Sequence, residues 1–122
     1  MHIEVRTDRH VDADVDLLQQ VSKEVAALLA RFADQLTRVE VHLGDVNADK
    51  GGSTDRRCML EARLAGQAPL AVTHHAATLT ESYRGAARQL QRLLHTRLAR
   101  VESRRGRESI RHRQSTDTSA SG

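Results

Sequence analysis

Aromatic side chains are nearly missing from this chain: among 122 residues there is one Phe, one Tyr and no Trp. That argues against RNA recognition on aromatic stacking platforms. Cysteine is as scarce. Cys58 stands alone, so no internal disulfide can form, which agrees with a reducing compartment. No apolar run approaches the roughly 18 residues of a membrane span. Met1-His2-Ile3-Glu4-Val5-Arg6 lacks the apolar stretch of a secretory signal. A cytoplasmic protein with no membrane partner is therefore expected. Proline occurs once, at Pro69, where it can open a strand but not sit inside one.

What is present is charge, unevenly distributed. Residues 1–77 carry 9 Lys and Arg against 12 Asp and Glu, whereas residues 78–122 carry 10 against 4, and all ten of those bases are Arg. The formal net charge of +3 hides this division. A segregated basic block suits a polyanion, and Arg, unlike Lys, grips phosphate in a two-pronged way.

The hydrophobic pattern predicts six elements. Residues 2–7 alternate, with Ile3 and Val5 on one face, as a half-buried strand does. Asp12 or Asp14 can cap a helix over about 14–34, with an apolar face of Leu18, Val21, Val25, Leu28, Leu29 and Phe32. Residues 36–43 alternate again, with Val39, Val41 and Leu43 opposite Arg38, Glu40 and His42. A Gly-rich polar loop over 44–54 leads to a third strand, 56–64, with Cys58, Leu60, Ala62 and Leu64 inward. A turn at Gly66–Pro69 precedes a fourth strand ending near His74-His75. Thr78 and Glu81 form a capping-box pattern opening a second helix, whose stripe of Leu79, Tyr83, Ala86, Leu90, Leu93, Leu94 and Val101 carries it to about residue 102. From Ser103 the apolar period is lost, and residues 103–122 are expected to be a disordered basic and polar tail.

Strand, helix, three strands, helix is an α+β order. The first two strands, joined through a helix, should be parallel neighbours, and the short later connections suit antiparallel pairs. Each strand has one polar face, so both helices must cover the same side of a four-stranded mixed sheet in a two-layer sandwich. Residues 1–102 form that domain.

The second helix carries the chemistry. Arg84, Arg88 and Arg92 recur every four residues and His95 follows. At 100° per residue they fall at about 0°, 40°, 80° and 20°, one stripe opposite the apolar face. Like charges at this spacing weaken an isolated helix. Arg97 and Arg100 continue the basic run, and only Glu81 interrupts it before residue 102. Phosphate binding explains this better than solvation does.

Other chemistries are poorly supported. His74 and His75 point to opposite faces of a strand and cannot share a metal. Asp45, Asp49 and Asp55 lack the Glu that closes a calcium loop. Cys58 faces inward, as a small buried hydrophobe does. Gly51-Gly52 precedes no helix and no Gly-Lys-Ser/Thr. No catalytic constellation, cofactor, metal or small-molecule substrate is expected.

The βαβββα order, the strand Arg38-Val39-Glu40-Val41-His42-Leu43, the segment Asp55-Arg56-Arg57-Cys58-Met59-Leu60-Glu61-Ala62-Arg63 and the Arg-rich last helix together resemble the ribosome hibernation-promoting factors, also called ribosome-associated translation inhibitors or sigma-54 modulation proteins. The resemblance spans roughly residues 2–102. It implies a non-catalytic stress-response protein that lodges in the small ribosomal subunit between head and body, binds its rRNA in the path of mRNA and tRNA, and silences translation. The family's last helix commonly reads Lys-Leu-x-Arg-Gln-Leu-x-Lys. Here Gln89-Leu90-Gln91-Arg92-Leu93-Leu94-His95-Thr96 keeps Arg92, while Gln89 and Thr96 replace bases that Arg88 and Arg97 stand beside. In the first helix the family's basic positions are poorly matched, and only Lys23 and Arg31 are candidates for them. The chain looks like a short form without the dimerisation domain of longer members, and is expected to be monomeric off the ribosome. The competing reading is a protein-interaction module whose basic helix meets an acidic partner, such as a sigma-54-type transcription regulator.

Overall fold

The computed structural model describes residues 1–8, 14–46 and 55–116, with only the backbone described beyond residue 100. Its elements are β1 (His2–Thr7), α1 (Val15–Leu28), a 3-10 turn (Ala30–Phe32), β2 (Leu36–Val46), β3 (Asp55–Leu64), β4 (Leu70–Ala76) and α2 (Leu79–Thr116). The four strands form one sheet in the order β1-β2-β3-β4. β1 runs parallel to β2, with Val5 opposite Val41, and the other two pairs are antiparallel, with Val41 opposite Leu60 and Leu60 opposite Val72. This is the expected α+β sandwich. Two compact units divide the chain, Met1–Gln91 and Arg92–Gly122.

One face of the sheet is apolar and covered. Val39, Val41, Leu43, Cys58, Leu60, Ala62, Leu64 and Val72 are buried there, with Val21, Val25, Leu29 and Phe32 from the α1 region and Tyr83, Ala86, Ala87 and Leu90 from α2. The alternation that separates these residues from their polar neighbours is the period-two geometry of a strand. Strand β1 is the least buried, with Ile3 and Val5 only half covered at the sheet edge.

Local signals account for most boundaries. Asp14 caps α1, its carboxylate accepting from the Leu17 amide at 2.6 Å, while Asp12 lies outside the described residues. Thr78 Oγ1 accepts from the Glu81 amide at 3.1 Å at the start of α2, and Ser82 Oγ donates to the Leu79 carbonyl at 2.7 Å. At β2 the register shifts between Leu36 and Arg38, and Thr37 Oγ1 in that bulge donates to the Arg63 carbonyl at 3.1 Å. Gly66 adopts φ of 72° in the turn before β4, which glycine enters without strain.

Three boundaries differ from expectation. The second strand was expected to end at Leu43 before a loop from Gly44, but β2 continues to Val46, with Gly44, Asp45 and Val46 paired to Arg57, Arg56 and Asp55 of β3. The first helix was expected to about residue 34, but α1 ends at Leu28 and tightens into the 3-10 turn. At three residues per turn, positions three apart eclipse, so Leu29 and Phe32 enter the core side by side, both buried. The second helix was expected to stop near 102, with disorder from Ser103; its backbone is helical to Thr116, and residues 117–122 lie outside the described residues. An apolar stripe is needed to pack a helix, not to propagate one. Arg, Glu and Gln are good helix formers, and in 103–116 only Gly106 opposes them strongly.

Candidate nucleic-acid interface

The open face of the sheet is polar, and many of its charges are paired with one another. Arg6 pairs with Glu4 at 2.8 Å, Arg38 pairs with Glu4 and reaches Glu40 at 3.1 Å, and His42 stands 3.6 Å from Glu40. The hydrogen bond from Arg6 holds the Glu4 carboxyl below its ordinary pKa. Burial pushes Glu40 up, but the hydrogen bond and charge of Arg38 outweigh it and leave Glu40 lowered too. Arg63 stands 3.6 Å from Glu61. At the loop end of the sheet Arg56 pairs across strands with Asp45, so one carboxylate considered for a calcium loop is committed to a guanidinium; Asp49 lies outside the described residues. Arginines neutralised in this way offer little to a phosphate.

The helical side is different. In the first unit, α2 buries Ser82, Tyr83, Ala86, Ala87 and Leu90 and exposes Arg84 and Arg88. Arg88 makes no ion pair among the described residues, so its fork is open to a ligand. Arg84 is engaged: its Nε and one terminal nitrogen donate to the two carboxylate oxygens of Glu24 on α1, at 3.2 and 2.8 Å. This hydrogen bonding lowers the Glu24 pKa, foremost through Arg84, and keeps the carboxylate ionised. The Gln91 amide donates to the Leu28 carbonyl, meeting one of the orphan acceptors at the end of α1. Glu24, Ala27 and Leu28 of α1, with Arg84 and Arg88 of α2, line a groove of about 240 Å³.

In the second unit Arg92, His95 and Arg100 are exposed, and Arg97 is half-buried. Of the two basic candidates outside α2, Lys23 is exposed on α1, and Arg31 is exposed with its guanidinium 4.9 Å from the Phe32 ring centre. The structure thus brings Arg84 and Arg88 together around one groove. It shows no such grouping for Lys23 or Arg31.

Glu24 is the residue that sequence reasoning missed. Nothing local marks it, because its partner lies 60 positions away. It sets an acid from another helix beside the first arginine of the α2 stripe. Gly85, a weak point in α2 by propensity alone, has a structural reason. A Cβ there would lie 2.9 Å from His74 Cγ and closer still to Cδ2 and Nε2 of the same ring. Glycine lets the helix lie against β4 at that point. No cluster of His, Cys, Asp and Glu fit to hold a metal occurs among the described residues. Burial pushes the Cys58 thiol up to about 12, far from nucleophilic use.

No protein-family model matches the chain, and no curated protein sequence matches it. Solved structures do. The N-terminal domain of Protein Y from Thermus thermophilus superposes with a TM-score of 0.61 at 20% identity, over 76% of this chain and 94% of that one. A ribosomal subunit interface protein from Coxiella burnetii superposes with a TM-score of 0.64 at 14% identity, over 81% and 99%. No helix among the described residues is long and apolar enough to cross a membrane. The chain has the fold expected from its resemblance to the ribosome hibernation-promoting factors, as the Protein Y domain and the ribosomal subunit interface protein share it.

Proposed function

We propose that this protein is a non-enzymatic, cytoplasmic ribosome-binding factor that silences translation by occupying the small subunit. It acts there through rRNA contacts in the mRNA and tRNA channel between head and body. The observation that carries this reading is the coincidence of the fold with exposed, unneutralised arginines in both units. Arg88, Arg92 and Arg100 are exposed and make no ion pair among the described residues, while the arginines of the sheet face are mostly matched by carboxylates. Neutralising phosphates with such side chains releases condensed counterions, which supplies affinity without sequence readout. The scarcity of aromatics agrees: recognition rests on the backbone of a folded RNA rather than on stacked bases. The protein works as a monomer off the ribosome, without cofactor or metal.

The experiment is sedimentation of the purified protein with isolated small subunits, alongside inhibition of a cell-free translation reaction. Retention on the small subunit together with dose-dependent inhibition supports the proposal. Absence of binding at low salt overturns it, and points instead to a basic helix that meets an acidic protein.

A further inference from the structure

Within the second unit, Arg92–Gly122, the backbone of α2 stays helical to Thr116. The arginines of this stretch are not scattered. Residues 100–113 hold six of them: Arg100, Arg104, Arg105, Arg107, Arg111 and Arg113. With Arg100 set at 0° and about 100° per residue, Arg104, Arg107 and Arg111 fall at about 40°, 340° and 20°. Four of the six positions therefore share a sector about 60° wide, along about 17 Å of helix. Arg105 and Arg113 fall outside it, at about 140° and 220°. Of the two acids in this stretch, Glu102 takes the far side at about 200°, and Glu108 borders the row at about 80°. Arg100, the first member of the row, is exposed and makes no ion pair among the described residues.

Like charges three and four positions apart weaken a helix, so the row works against the conformation that creates it. A polyanion removes that conflict. The apolar residues of the stretch, Val101 and Ile110, fall at about 100° and 280°, off the row. A protein interface centres on apolar contact, which the row does not offer; a succession of arginines suits phosphates, whose geometry the guanidinium fork matches. We propose that this part of α2 is a phosphate-binding rail that lies along one strand of base-paired RNA, with the row of Arg100, Arg104, Arg107 and Arg111 turned to the strand's phosphates. Base-paired RNA keeps its base edges in a deep, narrow groove, so the rail meets backbone rather than bases and is indifferent to sequence. Phosphates relieve the repulsion within the row, and binding and helix formation therefore support each other. This inference rests on the rRNA-binding reading above and deepens it: net charge alone would make all six arginines equivalent, whereas a helical rail sets four apart from the other two.

The test measures binding of the full chain to isolated small subunits across a salt series. Two double variants remove the same charge from the same stretch: Arg104→Gln with Arg107→Gln on the row, and Arg105→Gln with Arg113→Gln off it. The on-row pair should weaken binding about tenfold at physiological salt and lower the magnitude of the log-log salt slope by about two, while the off-row pair stays within about twofold of the parent. Gly106→Pro changes no charge but breaks the helix in the middle of the row, and should weaken binding about as much as the on-row pair. Gly106→Ala favours the helix and should tighten binding severalfold. A base-paired RNA hairpin, used as a second probe, should rank the variants in the same order. Every substitution lies beyond Leu94, the last buried core residue among those described, so the sheet should fold in each variant, which a thermal melt checks. Equal losses from the two pairs, or parental binding by Gly106→Pro, overturn the rail and leave ribosome binding standing. If poly-glutamate ranks the variants and the hairpin does not, the partner is an acidic protein and the RNA rail is overturned. If the parent itself is not retained on small subunits at low salt, the rRNA reading falls and the rail falls with it.

Discussion

Arg84 on α2 donates through two nitrogens to both carboxylate oxygens of Glu24 on α1, joining positions 60 residues apart. The pair changes the meaning of the α2 stripe. As a sequence feature, Arg84 is the first of three equivalent arginines; in the fold it is the one already neutralised. Any phosphate that took Arg84 would have to compete with a two-pronged carboxylate contact, whereas Arg88 is available without that cost.

Because the pair is solvent-accessible, its contribution to stability is expected to be small. Arg84→Gln and Glu24→Gln should each fold and melt within a few degrees of the parent at neutral pH. The pH dependence has a definite sign. The folded state holds Glu24 below its ordinary value of 4.5, so its contribution is fully present above that value and is lost as the pH falls through the lower folded-state value. Thermal melts of parent and Glu24→Gln should therefore differ most near neutrality and converge in acid. A gap that widens below pH 4.5 contradicts the assignment.

Gly85 should behave against helix propensity. Replacing a mid-helix Gly by Ala ordinarily stabilises by up to about 1 kcal/mol. Here the added methyl meets the His74 ring, with Cγ at 2.9 Å, so the conflict is not confined to the tip of the side chain. Gly85→Ala is expected to destabilise by about 1–2 kcal/mol, the usual scale for overpacking. In a His74→Ala background the same substitution should become neutral or stabilising. Chemical denaturation of the four proteins in this double-mutant cycle reads the coupling directly.

Cys58 should be silent in the native state. It is fully buried, and burial raises its thiol to about 12, so thiolate is negligible at neutral pH. Reaction with a disulfide reagent should follow global unfolding across a denaturant series. Rapid labelling of the native protein would place Cys58 at the surface. Cys58→Ser is expected to cost more than Cys58→Ala, because a buried hydroxyl without a partner costs about 1–3 kcal/mol.

The fold was legible because period-two and period-3.6 patterns are local. The alternation around Val39, Val41 and Leu43, and the caps at Asp14 and Thr78, place strands and helices without tertiary information. The single polar face of each strand put both helices on one side of the sheet. The end of α1 was not legible, because the tightening at Leu29 and Phe32 answers the packing needs of a core formed from distant segments. The extent of α2 to Thr116 was not legible for the opposite reason: helix propensity there continues after amphipathic patterning stops. For the candidate site, exposure of Arg84, Arg88, Arg92 and His95 followed from spacing along one helix. The roles within that set did not, because the residue that separates Arg84 from Arg88 is Glu24, on another helix.

The sharpest functional prediction follows from that separation. A triple replacement of Arg84, Arg88 and Arg92 would mix weakened phosphate binding with removal of the Glu24 pair, so the informative variant is Arg88→Gln with Arg92→Gln. Both side chains are exposed and make no ion pair among the described residues, so the fold should be unaffected. Binding to small subunits should weaken strongly at physiological salt. The magnitude of the slope of log affinity against log salt should fall by about one to two, at somewhat under one unit for each phosphate no longer neutralised. Arg84→Gln measured alongside should change the slope less than Arg88→Gln does, because its charge is already balanced by Glu24. Inhibition of cell-free translation should decline in step with occupancy. If the double variant binds small subunits with the parent's affinity and slope, Arg88 and Arg92 are only solvated helix residues. If it keeps ribosome occupancy but loses an acidic protein partner, the basic helix serves that partner instead.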